Sequence, residues 1–98
     1  LSSTDFARIM QSSQSLNVRD VSFRYAPSSR PGLGFVVPKK YGDAVRRNLF
    51  RRRCRSLFTA TIIHNKILCS VVVRPNKQNI SHNSINDSFA CLYNQLLS

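Results

Sequence analysis

Eight of the seventeen residues from Lys39 to Arg55, KKYGDAVRRNLFRRRCR, are basic and only Asp43 is acidic, so this run holds a net +7 of the chain's formal +11. Side chains of this type at this density bind phosphate oxygens rather than move protons. Arginine dominates the run, and its planar fork can bond two phosphate oxygens at once or stack on a base. A merely solvated helix face interleaves Glu with Lys at i, i+4 spacing. Here Arg46, Arg47, Arg51, Arg52, Arg53 and Arg55 have no such compensation, and a polyanion would relieve their mutual repulsion. A membrane surface is the weaker choice of polyanion, because it requires a broad exposed apolar face opposite the charges. The apolar stripe of this run is only as wide as a core-facing stripe.

Acid–base and metal chemistry are poorly supplied. The chain has no Glu, its four Asp are scattered at positions 5, 20, 43 and 87, and neither His64 nor His82 has a second acid or base near it in sequence. Cys54, Cys69 and Cys91 are widely spaced among apolar neighbours without a Cys-x-x-Cys pair, which predicts buried reduced thiols rather than a zinc site or a disulfide framework. No Gly-rich nucleotide loop is present. No apolar stretch approaches the roughly 18–20 residues that span a bilayer, and no secretory signal pattern is seen, so a cytoplasmic location is expected.

The elements that must position the basic run follow from periodicity. Ser2, Ser3 or Thr4 can cap a short helix running to about Gln14, with Phe6, Ile9 and Met10 on one face. Val18 to Tyr25 alternates, Val21, Phe23 and Tyr25 on one side and Asp20, Ser22 and Arg24 on the other, as a half-exposed strand does. Pro27 ends it, turn formers follow, and Leu33 to Val37 resumes a strand up to Pro38, so the pair reads as a hairpin. Asp43 is a natural N-cap for a long helix from Ala44 to about Thr61, free of Gly and Pro. Phe50, Cys54, Leu57, Phe58 and Thr61 form its packing stripe, with Asn48, Arg51, Arg52 and Arg55 on another side. Lys66 to Arg74 reads as a strand buried on both faces, and Ile85, Phe89, Leu92, Tyr93 and Leu96 mark a final helix. With 98 residues and 42% hydrophobic content, one domain (1–98) is predicted. The order helix, strand, strand, helix, strand, helix gives an α+β two-layer sandwich with a small mixed sheet and three helices.

The passage from Arg30 to Arg55, RPGLGFVVPKKYGDAVRRNLFRRRCR, resembles the signature of the protein subunit of bacterial ribonuclease P. In that family a strand of the type hG(h)xVSKK leads through hGNAV into a helix beginning RNRxKR. The matched positions are Leu33 to Val37, Lys39, Lys40, Gly42, Ala44, Val45, Arg47, Asn48, Arg51, Arg52 and Arg55. The opening Thr4-Asp-Phe-Ala-Arg-Ile-Met and the tail Val71-Val-Val-Arg-Pro, with its closing helix, are similar to the family as well. The chain departs from the pattern at Leu49, where the third Arg of the triplet is usual, at Pro38 in place of Ser and at Asp43 in place of Asn.

The resemblance implies a fold like the second domain of ribosomal protein S5 and a protein that assists a catalytic RNA in removing the 5′ leader from precursor tRNA. The partners implied are ribonuclease P RNA and precursor tRNA, with no membrane and no small-molecule substrate. It makes the protein part of an endoribonuclease whose catalysis comes from RNA and its Mg²⁺, with no cofactor held by protein alone and no catalytic side chain. It assigns Lys39, Lys40, Arg46, Arg47, Asn48, Arg51, Arg52 and Arg55 to the catalytic RNA. It assigns Phe6, Met10, Phe23 and Tyr25, with Arg19 or Arg24 nearby, to a cleft for the single-stranded leader, where aromatic faces suit unstacked bases. Arg74 and Lys77 are further phosphate candidates. A ribosomal or other general RNA-binding protein would share the charge and architecture but needs no Lys-Lys, Gly and Arg-Asn arrangement. A metal-dependent nuclease needs converging carboxylates.

Overall fold

The computed structural model describes residues 14–78 and 80–97, which form strands β1 (Gln14–Val18), β2 (Val21–Pro27) and β3 (Gly32–Phe35), helix α1 (Ala44–Phe58), strand β4 (Cys69–Pro75) and helix α2 (His82–Leu97). The sheet order is β1-β2-β4-β3. β4 takes a central place because its valines suit burial on both faces, and only Arg74 in it is exposed. It pairs antiparallel with β2 and parallel with β3. A parallel neighbour needs a long crossover, and α1 provides it.

Two sequence expectations change at the N-terminal side. Residues 14–18 are a strand of their own, where periodicity predicts a helix to about Gln14 and a strand only from Val18, and the tight hairpin joins β1 to β2 through Arg19 and Asp20, with Val18 opposite Val21. Arg19 takes φ 20°, the sign that two-residue hairpin turns require. Consequently Val18 and Tyr25 lie in different strands, and Asp20 sits in the turn. β2 and β3 do not form a hairpin, because β4 is inserted between them. The predicted first helix, with Phe6 and Met10, lies outside the described residues. Among those residues the architecture is α+β with two α-helices on a small mixed sheet.

The register divides the sheet into two faces. Phe23 stands opposite Leu16 and Val73, and Tyr25 opposite Val71, so these residues share one face with Leu33 and Phe35. That face meets the helices. Phe23 packs edge-on against Phe89 of α2, centroids 5.1 Å apart, and Phe50, Cys54 and Phe58 of α1 join the same core. Ile85, Phe89 and Leu92 supply the inward stripe of α2, whose start is capped by the Ser81 hydroxyl accepting from the Ser84 amide. The helical path of α1 widens into a π-turn at Thr59–Ile63, which buries Ile62, and Lys66 closes the segment at φ 57°. The long helix therefore runs as far as the sequence predicts, while β4 begins at Cys69 rather than Lys66.

Candidate nucleic-acid interface

The turn before α1 sets where its charges stand. Lys39–Tyr41 forms a single 3₁₀ turn, exposing both lysines while Tyr41 is buried against Phe50, centroids 5.2 Å apart. Burial pushes the Tyr41 hydroxyl up from its ordinary value, opposed by a hydrogen bond from the Ile80 backbone. Asp43 caps α1, its Oδ1 accepting from the Arg46 amide at 2.9 Å. Gly42 accommodates a close approach. A Cβ there would meet Cβ and Cδ of Arg46 at 3.1 Å, so the missing side chain lets the Arg46 stem fold against the turn.

Cys54 points straight into the core, and at 100° per residue Arg51, Arg55, Asn48 and Arg52 fall roughly 60–160° to one side of it. Arg46, Arg53 and Leu49 fall roughly 80–140° to the other side. The predicted packing stripe is therefore correct, but the RNA-facing set is not one surface: Arg46 lies across the helix from Arg51 and Arg55. On the first flank, Arg51 Nη1 donates to Asn48 Oδ1 at 3.0 Å, so Asn48 orients an arginine. Arg55 lies over the ring of Phe35 from β3, 5.6 Å from its centroid. Arg47 lies about 20° from the core direction and is half-buried; its Nε is buried with no hydrogen-bond partner among the described residues.

The sheet face opposite the helices carries a second feature, a groove of about 620 Å³. Its lining includes Asn17 of β1, Ser22 and Arg24 of β2, Val72 and Arg74 of β4, and Lys40. One rim is built by hydrogen bonds: Ser22 Oγ contacts Asn17 Oδ1 at 2.9 Å and Asn76 Oδ1 at 2.8 Å, and Asn76 Nδ2 donates to Asn17 Oδ1 at 2.9 Å. On the opposite side Gln78 Nε2 donates to the Lys40 carbonyl, tying the segment after β4 to the Lys39–Lys40 turn. Lys77 lies 3.5 Å from Asp20 Oδ2, which also accepts from Ser84 Oγ. The Ser84 hydroxyl, against the opposing effect of desolvation and with help from Lys77 and Arg19, holds the Asp20 carboxyl below its usual value.

Two of the predicted cleft residues are core. Phe23 and Tyr25 are only 1% and 7% exposed, and their rings project to the helix-covered face, where they fill the space under α2. They offer no free face to a base. Arg24 points the other way, into the groove, whereas Arg19 is exposed in the β1–β2 turn; Phe6 and Met10 lie outside the described residues. The polar residues Asn17, Ser22, Asn76 and Gln78 were missed. Alternation alone could have found Ser22, because the aromatic side of β2 is the side a core wants; Asn17, Asn76 and Gln78 depend on pairings distant in sequence.

The thiols differ in setting. Burial pushes Cys54 up to about 12 and Cys69 up to about 11, consistent with inert packing groups. Cys91 is exposed, contrary to the sequence expectation, because it sits on the outer side of α2 next to the inward Leu92. Among the described residues, no group of three His, Cys, Asp or Glu side chains could hold a metal ion, and no helix is long and apolar enough to cross a membrane.

Fold and charge together define a small α+β protein that presents a basic crossover helix and a basic, polar groove on the far side of its sheet. Residues 1–97 match the Ribonuclease P family, and the chain belongs to that family. The ribonuclease P protein component of Chlamydia felis is 45% identical over 62 residues, covering 59% of this chain and 44% of that protein. The ribonuclease P protein component of Chlamydia caviae is 34% identical over 98 residues, 87% of this chain and 70% of its own length. The match to the first of these thus spans less than half of that relative. The solved RNase P protein from Thermotoga maritima, in complex with 1-(4-fluorophenyl)-2-thiourea, superposes with a TM-score of 0.74 at 25% identity and 91% coverage of both chains.

Proposed function

We propose that this protein is the protein subunit of ribonuclease P, a single domain that binds the catalytic RNA and the 5′ leader of precursor tRNA and assists removal of that leader in the cytoplasm. The observation that carries the reading is the continuity of its basic surface. Lys40 lines the groove and belongs to the turn that starts α1, so a groove containing Arg24 and Arg74 leads towards a helix bearing Arg51, Arg52 and Arg55. One surface can then hold two RNA elements at once. The leader runs along the groove on the Ser22 and Arg24 side of the sheet, held by phosphate contacts and polar groups, which suits a strand whose sequence varies. The mixed sheet with α1 and α2 packed on one face supports a fold like the second domain of ribosomal protein S5.

In this reading Mg²⁺ held by the RNA supplies activation of water, and the protein supplies position and charge. The scattered Asp residues fit that division of labour. The test is reconstitution of the protein with a bacterial ribonuclease P RNA at low Mg²⁺, measuring correct 5′ processing of precursor tRNA. Processing should rise well above that of RNA alone and vanish when the RNA is left out. A folded protein that binds RNA but leaves processing unchanged would instead be a general RNA-binding protein, and cleavage persisting without the RNA would indicate a protein nuclease.

A further inference from the structure

Lys40 lines the groove yet belongs to a turn that cannot hold itself. Lys39–Tyr41 is one turn of 3₁₀-helix without a side-chain cap. Its two backbone bonds run from the Tyr41 amide to the Pro38 carbonyl at 3.0 Å and from the Gly42 amide to the Lys39 carbonyl at 3.3 Å, which leaves the Lys40 carbonyl outside the turn. A single turn of this kind is weakly bonded, so contacts from elsewhere set its orientation. They come from the segment after β4. Gln78 Nε2 donates to the Lys40 carbonyl, and the Ile80 backbone hydrogen-bonds the hydroxyl of Tyr41, whose ring rests on Phe50. The same segment is fastened at its other end. The Asn76 amide donates to the Asp20 carbonyl at 2.8 Å, the Asn76 side chain joins Ser22 and Asn17, and Lys77 pairs with Asp20. Residues 76–78 therefore reach from the β1–β2 turn to the Lys39–Tyr41 turn and line the groove as they cross.

We infer that Gln78 is a positioning residue for the leader: by holding the peptide between Lys40 and Tyr41 it directs the Lys40 side chain across the groove to a leader phosphate. Lysine is a point charge on a flexible four-carbon stem, so the direction of its Cα–Cβ bond decides which part of the groove the ammonium samples. That direction is a property of the backbone, and Gln78 anchors the backbone there. Gln78 carries no charge and neutralises no phosphate; it acts through Lys40. This inference rests on the leader-binding reading above and adds the residue that places one of its cations.

The test is a double-mutant cycle. Binding of precursor tRNA and of mature tRNA is measured with holoenzyme assembled at saturating protein, for wild type, Gln78→Met, Lys40→Ala and the double variant. Methionine keeps the side-chain length and removes the N–H. Gln78→Met should weaken precursor binding about threefold, the scale of one hydrogen bond, with the loss confined to the precursor and the salt slope unchanged. Lys40→Ala should weaken precursor binding further and lower the slope by about 0.7, for one phosphate contact to a single strand. The double variant should bind as Lys40→Ala does, because a residue acting through Lys40 then has nothing left to place. A further loss in the double variant would mark a direct contact by Gln78, and equal losses for precursor and mature tRNA would mark general damage; either result, or no loss in Gln78→Met, overturns the proposal. The geometry is checked in the free protein by ¹⁵N spectra. The Tyr41 amide, which shares its peptide with the Lys40 carbonyl, should shift in Gln78→Met while the amides of Phe23 and Val73 stay in place, and an unmoved Tyr41 amide also overturns the proposal. A wild-type holoenzyme that binds precursor and mature tRNA equally overturns the leader reading and this proposal with it, whereas additive losses in a discriminating wild type overturn the proposal alone.

Discussion

The guanidinium carbon of Arg55 lies 5.6 Å from the ring centroid of Phe35, so a side chain of the basic helix rests on an aromatic of the edge strand β3. The contact fixes the direction of a charge that would otherwise sweep a wide arc. Replacing Phe35 by Leu keeps an apolar side chain at the site but removes the ring. RNA affinity should then fall about two- to fivefold, equivalent to roughly 0.5–1 kcal/mol, with the salt slope unchanged because the charge remains. Equilibrium binding at several salt concentrations checks this.

Arg51 shares that flank and is oriented by Asn48 at 3.0 Å. The double change Arg51→Ala, Arg55→Ala should lower the log–log salt slope of RNA binding by about 0.7–0.9 for each lost phosphate contact. Helical circular dichroism should be unaltered, since both side chains project away from the Phe50, Cys54 and Phe58 stripe.

Gly42 supports the opposite flank. In Gly42→Ala the new methyl meets the Arg46 stem at 3.1 Å, and the neighbour's Cβ cannot swing aside as a chain end could. Denaturant unfolding should show a loss of about 1 kcal/mol, the scale of mild overpacking. Arg46→Ala in the same background should recover only part of it, because the Cβ at 3.1 Å remains.

The two faces of the sheet should separate function from stability. Phe23→Ala is expected to cost about 3–5 kcal/mol of stability by opening a cavity against Phe89. Arg74→Glu, in contrast, should leave thermal unfolding nearly unchanged and weaken binding of precursor tRNA more than that of mature tRNA lacking the leader. Equal weakening of both substrates would remove Arg74 from the leader path.

Cysteine chemistry follows burial. At pH 8 a maleimide should modify Cys91 in the folded protein within minutes and reach Cys54 and Cys69 only after unfolding, as peptide mapping would show. Because folding raises the Cys54 thiol to about 12 and Cys69 to about 11 from an ordinary value of 9, the folded state holds those protons more tightly. Their contribution to stability is complete below pH 9 and is lost as pH rises from there through 11 and 12. Urea midpoints measured from pH 8 to 11 should decline accordingly.

Local patterning carried much of this protein. The basic run, the Asp43 cap, the inward stripe of α1, the doubly buried β4 and the family itself are all legible in sequence, because each depends on residues close together along the chain or on a contiguous motif. The strand at 14–18, the insertion of β4 between β2 and β3, and the groove rim formed by Asn17, Ser22 and Asn76 were not, since they depend on pairings between distant segments. Sequence alternation separates the two sides of β2, but only the packing of α2 on Phe23 decides which side is core and which can meet RNA. In the same way, helical spacing gave α1 its charges, whereas Phe35 on one flank and Tyr41 with Ile80 on the other decide what those charges stand beside. Charge and periodicity are properties of the chain; a surface exists only once the register of the sheet and the seating of its helices have chosen which atoms remain in water.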